Sequence, residues 1–430
     1  MPAALVLALV FAVLLFAGVP VSFAIGSAAV AALALALDPA PAATVVAQRL
    51  ATGLDSFALL AIPFFILSGQ LMNRGGIARR LVDLAKLVVG RLPGGLAYVN
   101  ILGSTLFGAI SGSAVAAAAA IGGTMTPLMR REGYDRDFAA AVNISAAPIG
   151  LLIPPSNIMV VYSLASGGVS IAALFLAGYV PGILLGLALM GTVALLARGR
   201  NYPAGEKVAA REAGGILFRA LPSLLLIVLV MGGIILGWFT PTEASAIAVA
   251  YTFVLSVLIY REVPWRELPA ILTDSALTTA VVLLLIGTSM GMSWVMSLAN
   301  IPQAVTAGLL AITEDKVLLL LILNLLLLVV GTFMDMTPAV LIFTPILLPV
   351  VQKLGMSPLH FGLMLIFNLC IGLCTPPVGN CLFVGCGVAQ TTIARIWRPL
   401  LPFFAAMLAV LLLVTFWPAL SLALPRALGF

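Results

Sequence analysis

Two clusters of small polar residues interrupt an otherwise apolar chain, and their side-chain types restrict the chemistry open to them. The first holds Ser111 and Ser113 around Gly112, with Gly150, Ser156 and Asn157 further along. The second holds Thr332, Asp335 and Thr337, with Thr375, Gly379 and Asn380. Hydroxyl, amide and carbonyl oxygens make a hard, nearly neutral donor set. Such a set suits a monovalent hard cation and is poor for Zn²⁺, which takes nitrogen or sulfur. Unwound carbonyls at half-helix C-termini suit Na⁺, while helix N-termini suit carboxylates. We therefore expect two Na⁺ sites: Ser111, Ser113, Gly150, Ser156 and Asn157 in one, Thr332, Asp335, Thr337, Thr375, Gly379 and Asn380 in the other. A carboxylate-bearing substrate is expected between them, against Ser113, Pro154, Pro155, Ser156, Pro376 and Pro377.

The elements that must position these residues lie in lipid. Of 430 residues, 63% are hydrophobic and 8% charged, and the mean hydropathy is +1.22. That composition defines an all-α polytopic membrane protein. The first residues, MPAALVLALVFAVLLFAGVP, lack a charged start and a clear cleavage site, so they read as a first span. The formal charge of +6 does not point to nucleic acid, because the basic residues fall in short loops where they set orientation. Cys370, Cys374, Cys381 and Cys386 lie in one apolar segment without CxxC spacing and read as small buried hydrophobes. His360 is expected at a helix start near the membrane surface, without a ligand role.

Spans are expected at 3–17, 20–37 and 54–72, with a loop at 38–53. Ile77, Leu81, Leu84, Leu87 and Val88 recur at helical spacing among Arg74, Arg79, Arg80, Lys86 and Arg91. They predict an amphipathic helix on the membrane surface over 73–91. A hairpin is expected at 95–129, turning at 108–113, where small residues favour unwound backbone that protein or a cavity must satisfy. Basic loops flank it on both sides, and a hairpin that re-enters the membrane keeps both on the cytoplasmic face. A broken span follows at 138–163, because Pro148 and Pro154-Pro155 forbid continuous helix. A span at 170–197 ends the half.

The second half repeats these landmarks 222 residues later. Pro154-Pro155 falls on Pro376-Pro377, Gly133 on Gly355, Pro127 on Pro349 and Gly69 on Gly291. The expected domains are thus an inverted repeat at 1–212 and another at 213–430, each of five spans and one hairpin. In the second, spans are expected at 220–238, 242–260 and 271–297 and a surface segment at 300–316. A hairpin at 317–351, a broken span at 359–386 and a last span at 399–424 follow. Five spans per half invert the second repeat and place both termini outside. Of 21 Lys and Arg, only Arg49, Lys316, Lys353 and Arg426 then fall outside, as the positive-inside rule requires.

Asp335 is costly in apolar sequence, and ion ligation, titration and capping of the following half-helix are all open to it. Glu243, after Pro241, reads as an N-terminal cap. Asn143, Asn324 and Asn368 read as interhelical hydrogen bonders. There is no Walker motif, so no ATP hydrolysis is expected within the chain. Asp274 lies near a boundary and leaves Asp335 without the apposed partner an intramembrane aspartyl protease needs. No enzyme activity is expected.

Long ordered stretches then carry a family resemblance. FGAISGSAVAAAAAIG (107–122), GYDRDFAAAV (133–142), IGLLIPPSN (149–157), FTPTEASAIAVAY (239–251), GTFMDMTPAVLIFTPILLPV (331–350) and TPPVGN (375–380) resemble the large membrane subunit of TRAP (tripartite ATP-independent periplasmic) transporters. The resemblance implies a multi-pass protein of the bacterial inner membrane. It implies a separate small four-helix membrane subunit, a periplasmic substrate-binding protein, and uptake driven by Na⁺ as the coupling ion. It also implies elevator-like movement of the hairpin domain and an organic-anion substrate such as a C4-dicarboxylate or sialic acid. Val378 stands where the first half has Ser156, so the second site has one hydroxyl fewer. A stand-alone Na⁺/divalent-anion symporter of related architecture is the alternative.

Overall fold

The structure is a computed structural model that describes residues 2–35, 37–198, Tyr202 and 210–430. Among them every regular element is a helix. Arg200 and Lys207 of the expected basic loop lie outside the described residues.

Two apolar helices, α1 (Pro2–Phe16) and α2 (Val21–Leu33), open the chain around Gly18, which takes a φ of +80°. The expected loop at 38–53 is instead a helix, α3 (Pro39–Leu54). Proline lacks the N–H that a first helical turn leaves unpaired, so Pro39 starts this helix rather than breaking it. A short 3₁₀ turn leads to α4 (Ala61–Arg74), and Gly76 turns the chain into α5 (Ile77–Val89). Helix α5 buries Ile77, Leu81 and Leu84, but Val88 is exposed.

The first hairpin is α6 (Gly95–Ser111) and α7 (Ala114–Arg131). A broken span follows: α8 (Arg136–Ala146) and α9 (Ile149–Leu152) run into α10 (Asn157–Ala165) with a bend of 52°. Helix α11 (Ile171–Ala197) ends the half. The second half has α12 (Ala210–Ile235), then α13 (Pro241–Phe253) extended by a π-helical turn, α14 (Leu268–Leu298) and α15 (Ile301–Ile312). Its hairpin is α16 (Lys316–Phe333) and α17 (Met336–Lys353). Its broken span is α18 (Pro358–Gly372) and α19 (Asn380–Ala389). The expected last span is split into α20 (Ile393–Phe416) and α21 (Ala419–Ala427).

Eight helices among the described residues are long and apolar enough to cross a membrane, or nine with the bent pair counted as one. Both arms of the second hairpin pass that test, whereas α1, α2, α18 and α19 are too short for it. Leu5, Leu9, Val13 and Phe16 on α1 are exposed, as are Leu217, Leu221, Leu225 and Val228 on α12. Such outward apolar stripes at helical spacing fit lipid rather than water, and the chain is a multi-pass membrane protein.

The helices pack as an inner group within a frame. In the frame α14 lies against α2, α3 and α4, while α13 packs on α4 and α12 packs on α5 and α13. In the inner group the hairpins pack on the broken spans: α6 on α8 and α9, α7 on α19, α16 and α17 on α18. Helices α11 and α20 back this group. The frame meets it through α4 on α6, α5 on α6, α10 on α4, and α14 and α15 on α17. Helix α5 is therefore wedged between α6 and α12, which is why it buries more than a surface helix would.

Candidate functional site

The first hairpin turns more tightly than expected. Helix α6 continues through Ser111, and only Gly112 and Ser113 lie outside helix. Gly112 closes α6 at a φ of +60°, which glycine adopts without steric cost. Gly108 is helical, and its role is close approach. A Cβ added to it would sit 2.2 Å from the Cα of Gly150 in the broken span. A Cβ on Gly112 would sit 3.1 Å from the carbonyl oxygen of Pro155, so the tip rests directly on the break.

That contact seals oxygens away from water. Ser111 Oγ, Ser156 Oγ and Asn157 Oδ1 are buried and have no hydrogen-bond partner in the protein. Leaving such a group unpaired costs about 1–3 kcal/mol, so three beside one turn mark a place where something else supplies the partner. Oxygens of this kind fit Na⁺. Ser113 is committed differently: its Oγ accepts from the backbone N–H of Ala116 at 3.3 Å and caps α7.

The second cluster is more open. Asp335 sits at the N-cap position of α17 but makes no capping bond. Its Oδ1 accepts instead from Asn380 Nδ2, at 2.6 Å, which ties the second tip to α19. Thr332 turns its hydroxyl back onto the Val329 carbonyl within α16, and Thr375, just past the end of α18, turns its own onto the Ile371 carbonyl. Gly379 lies under the loop, where a Cβ would meet the carbonyl oxygens of Leu373 at 2.6 Å and Thr375 at 2.9 Å. Pro377 and Val378 are exposed, whereas Pro154, Pro155 and Ser156 are buried. The peptide bonds Pro154-Pro155 and Pro376-Pro377 are both cis.

A cavity of about 290 Å³ joins the two tips. Ser111, Gly112, Ser113, Asn157, Asp335 and Thr337 line it. Gly150, Pro154, Pro155, Ser156, Thr332, Thr375, Pro376, Pro377, Gly379 and Asn380 do not. The frame completes the wall with Gln70 and Asn73 of α4 and Thr278 of α14, which the sequence reading missed. Their only signal was a polar side chain on an apolar helix. Helices α7, α10 and α17 begin at Ala114, Asn157 and Met336, all on the cavity wall. Three positive helix ends therefore face one space. Among the described residues the only charged side chain on the wall is the Asp335 carboxylate.

Several other polar residues bond within or between helices. Thr240 and Glu243 form a reciprocal capping box at the start of α13. Asn143 Nδ2 donates to the Ala118 carbonyl, and Asn368 Nδ2 donates to both oxygens of Asn324 at 2.9 Å. His360 lies in the first turn of α18, as expected, with its side chain buried and its Nε2 3.2 Å from the Thr415 carbonyl. All four cysteines are free and buried. Cys370 and Cys374 donate to the carbonyls of Pro148 and Ile144, where the two broken spans cross.

An all-helical membrane chain with two hairpin tips and two broken spans around a central cavity has the architecture of a transporter permease. Residues 8–420 match the family model described as the tripartite ATP-independent periplasmic transporter, DctM component, and the chain belongs to that family. It is 56% identical over 415 residues to an uncharacterized protein, YgiK, of Salmonella typhimurium, covering 96% of this chain and 95% of that one. It is 38% identical to the C4-dicarboxylate TRAP transporter large permease protein DctM of Rhodobacter capsulatus, covering 97% of each chain. It is 39% identical to the sialic acid TRAP transporter large permease protein SiaM of Vibrio cholerae, covering 96% of each. Among solved structures, the YdaH transporter of Alcanivorax borkumensis has a similar fold, with a TM-score of 0.59 at 17% identity over 86% of this chain and 87% of that one.

Proposed function

We propose that this permease drives uptake of a carboxylate-bearing organic anion with a Na⁺ gradient. The observation that carries the reading is the trio of buried, unpartnered oxygens, Ser111 Oγ, Ser156 Oγ and Asn157 Oδ1, where the first hairpin tip meets the broken span. Na⁺ held there would satisfy them and bring positive charge to a wall that has no basic side chain. The helix ends at Ala114, Asn157 and Met336 would then attract the anion, with Ser113 and Thr337 at hydrogen-bonding positions on the wall. The second tip, with Asp335, Asn380 and the loop carbonyls around Gly379, is read as the second Na⁺ site.

The halves 1–212 and 213–430 are read as inverted repeats. Supporting this, Gly108 packs on Gly150 and Gly331 on Gly372, each pair joining a hairpin to its broken span at nearly one offset. The distribution of basic loops supports a topology with both termini on the periplasmic side of a bacterial inner membrane. The inner group of hairpins and broken spans is read as the moving part of an elevator. A separate small membrane subunit completes the frame, and a periplasmic binding protein delivers the anion. The relatives named for C4-dicarboxylate and sialic acid support this substrate class.

Reconstitution tests the whole reading. The permease, its small subunit and its binding protein are placed in proteoliposomes with succinate, malate or sialic acid. Uptake that requires all three components and inward Na⁺ is the expected result. Uptake by the permease alone would establish a stand-alone Na⁺/divalent-anion symporter instead.

A further inference from the structure

Among the described residues no basic side chain lies on the cavity wall, and one guanidinium, that of Arg74, is tied between the two helices that carry the wall residues Asn73 and Thr278. Asn73 and Thr278 both line the cavity. Arg74 follows Asn73 directly. Asp274 lies four residues before Thr278, on the same face of α14 and one turn away. Thr278 Oγ1 donates to the Asp274 carbonyl at 2.8 Å. Arg74 Nη2 donates to Asp274 Oδ2 at 2.5 Å. The carboxylate that holds the guanidinium therefore belongs to a residue one helical turn from Thr278 on the cavity wall.

Two further observations separate this pair from an ordinary strut. The side chains of Arg74 and Asp274 are 35% and 47% exposed, so water screens the pair and its exchange is cheap. Arg80, on the next helix, is held on two sides: it pairs with Glu262 at 2.8 Å and lies 3.6 Å over the Tyr260 ring. Arg74 is paired to Asp274 through one amino group of a fork built to hold two carboxylate oxygens.

Resting on the transport reading above, we infer that Arg74 is a specificity-determining residue that receives the departing anion, and that Asp274 is the internal carboxylate that competes it off. A substrate carboxylate leaving the tips exchanges with Asp274 on the guanidinium. The return of Asp274 then releases it. Gln70, Asn73 and Thr278 line the route between the two positions.

The test uses the complete reconstituted transporter, with whichever of succinate, malate or sialic acid the wild type carries. Right-side-out vesicles are preloaded with unlabelled substrate, and the internal concentration that halves labelled uptake is measured. D274N frees the guanidinium and is expected to lower that concentration about fivefold, while R74Q raises it by about as much. The double variant R74Q/D274N should behave like R74Q. Rates are normalised to monodisperse protein, so a folding defect does not imitate the effect. A shift in the same direction for both single variants, recovery of wild-type behaviour in the double variant, or no shift in either would overturn the inference while leaving the transport reading intact. Failure of the wild type to carry any of the three anions would instead remove the transport reading as drawn, and this inference with it.

Discussion

Gly108 and Gly150 meet backbone to backbone, with no room for a methyl group between the first hairpin and the first broken span. A side chain at either position must push the hairpin away from the break that its tip caps. Gly108→Ala and Gly150→Ala are each expected to cost about 1–3 kcal/mol and to abolish uptake. Gly123→Ala, on α7 with nothing within 4 Å of the added Cβ, is the matched control and should be neutral or slightly stabilising. Thermal midpoints of the purified variants, compared with uptake, check this. Equal destabilisation by all three would show that the contact is not specific.

Ser111 and Ser156 should respond oppositely with and without Na⁺. Without the ion, Ser111→Ala or Ser156→Ala removes a buried hydroxyl that has no partner, so the thermal midpoint should stay level or rise. With the ion, the same variants should lose most of the Na⁺-induced stabilisation, which reflects binding to the folded state. Na⁺ titration by thermal shift, with choline as the control cation, decides the matter. An unchanged Na⁺ response in both variants would remove these oxygens from the ion site.

The bond from Asn380 to Asp335 links the second tip to α19 across the chain break. If the two act as one unit, Asp335→Ala and Asn380→Ala should each reduce initial uptake strongly, and the double variant should be no worse than either alone. Multiplicative losses in the double variant would show two independent roles. Because Asp335 is exposed, thermal stability should move little in any of the three.

The capping box at α13 makes a contrasting case. Thr240→Ala should lower stability by about 0.5–2 kcal/mol. The Na⁺ concentration for half-maximal uptake should not change, since the capping bonds join Thr240 and Glu243 to each other at the helix start. A shifted Na⁺ dependence would place α13 in the transport cycle itself.

Much of the fold was legible because proline and glycine punctuate it. The breaks at Pro154-Pro155 and Pro376-Pro377 are found in the structure where consecutive prolines exclude helix. The same residues misled where position mattered more than type. Pro39 and Pro41 read as a loop, yet they occupy the first turn of α3, where a missing N–H is harmless. Gly108 read as part of an unwound tip, yet it is helical and serves contact with Gly150. The clusters at Ser111–Ser113 and Asp335–Thr337 do meet at one cavity, because hydroxyls and a carboxylate stand out in apolar sequence. Gln70, Asn73 and Thr278 were not legible, since each is a single polar residue on a helix and only tertiary packing brings it to the cavity wall. Asp335 was ambiguous for a related reason: its place before α17 is a capping position, and only the contact with Asn380 shows that its side chain is used elsewhere.

The two broken spans also touch where they cross, through Cys370 on the Pro148 carbonyl and Cys374 on the Ile144 carbonyl. Gly385 on α19 leaves no space before the side chain of Ile144, which makes the crossing tight as well as bonded. A crossing of that kind ties the two broken spans together, so that neither break can shift without pressing on the other. On the transport reading proposed above, cargo on one tip and cargo on the other would then travel together.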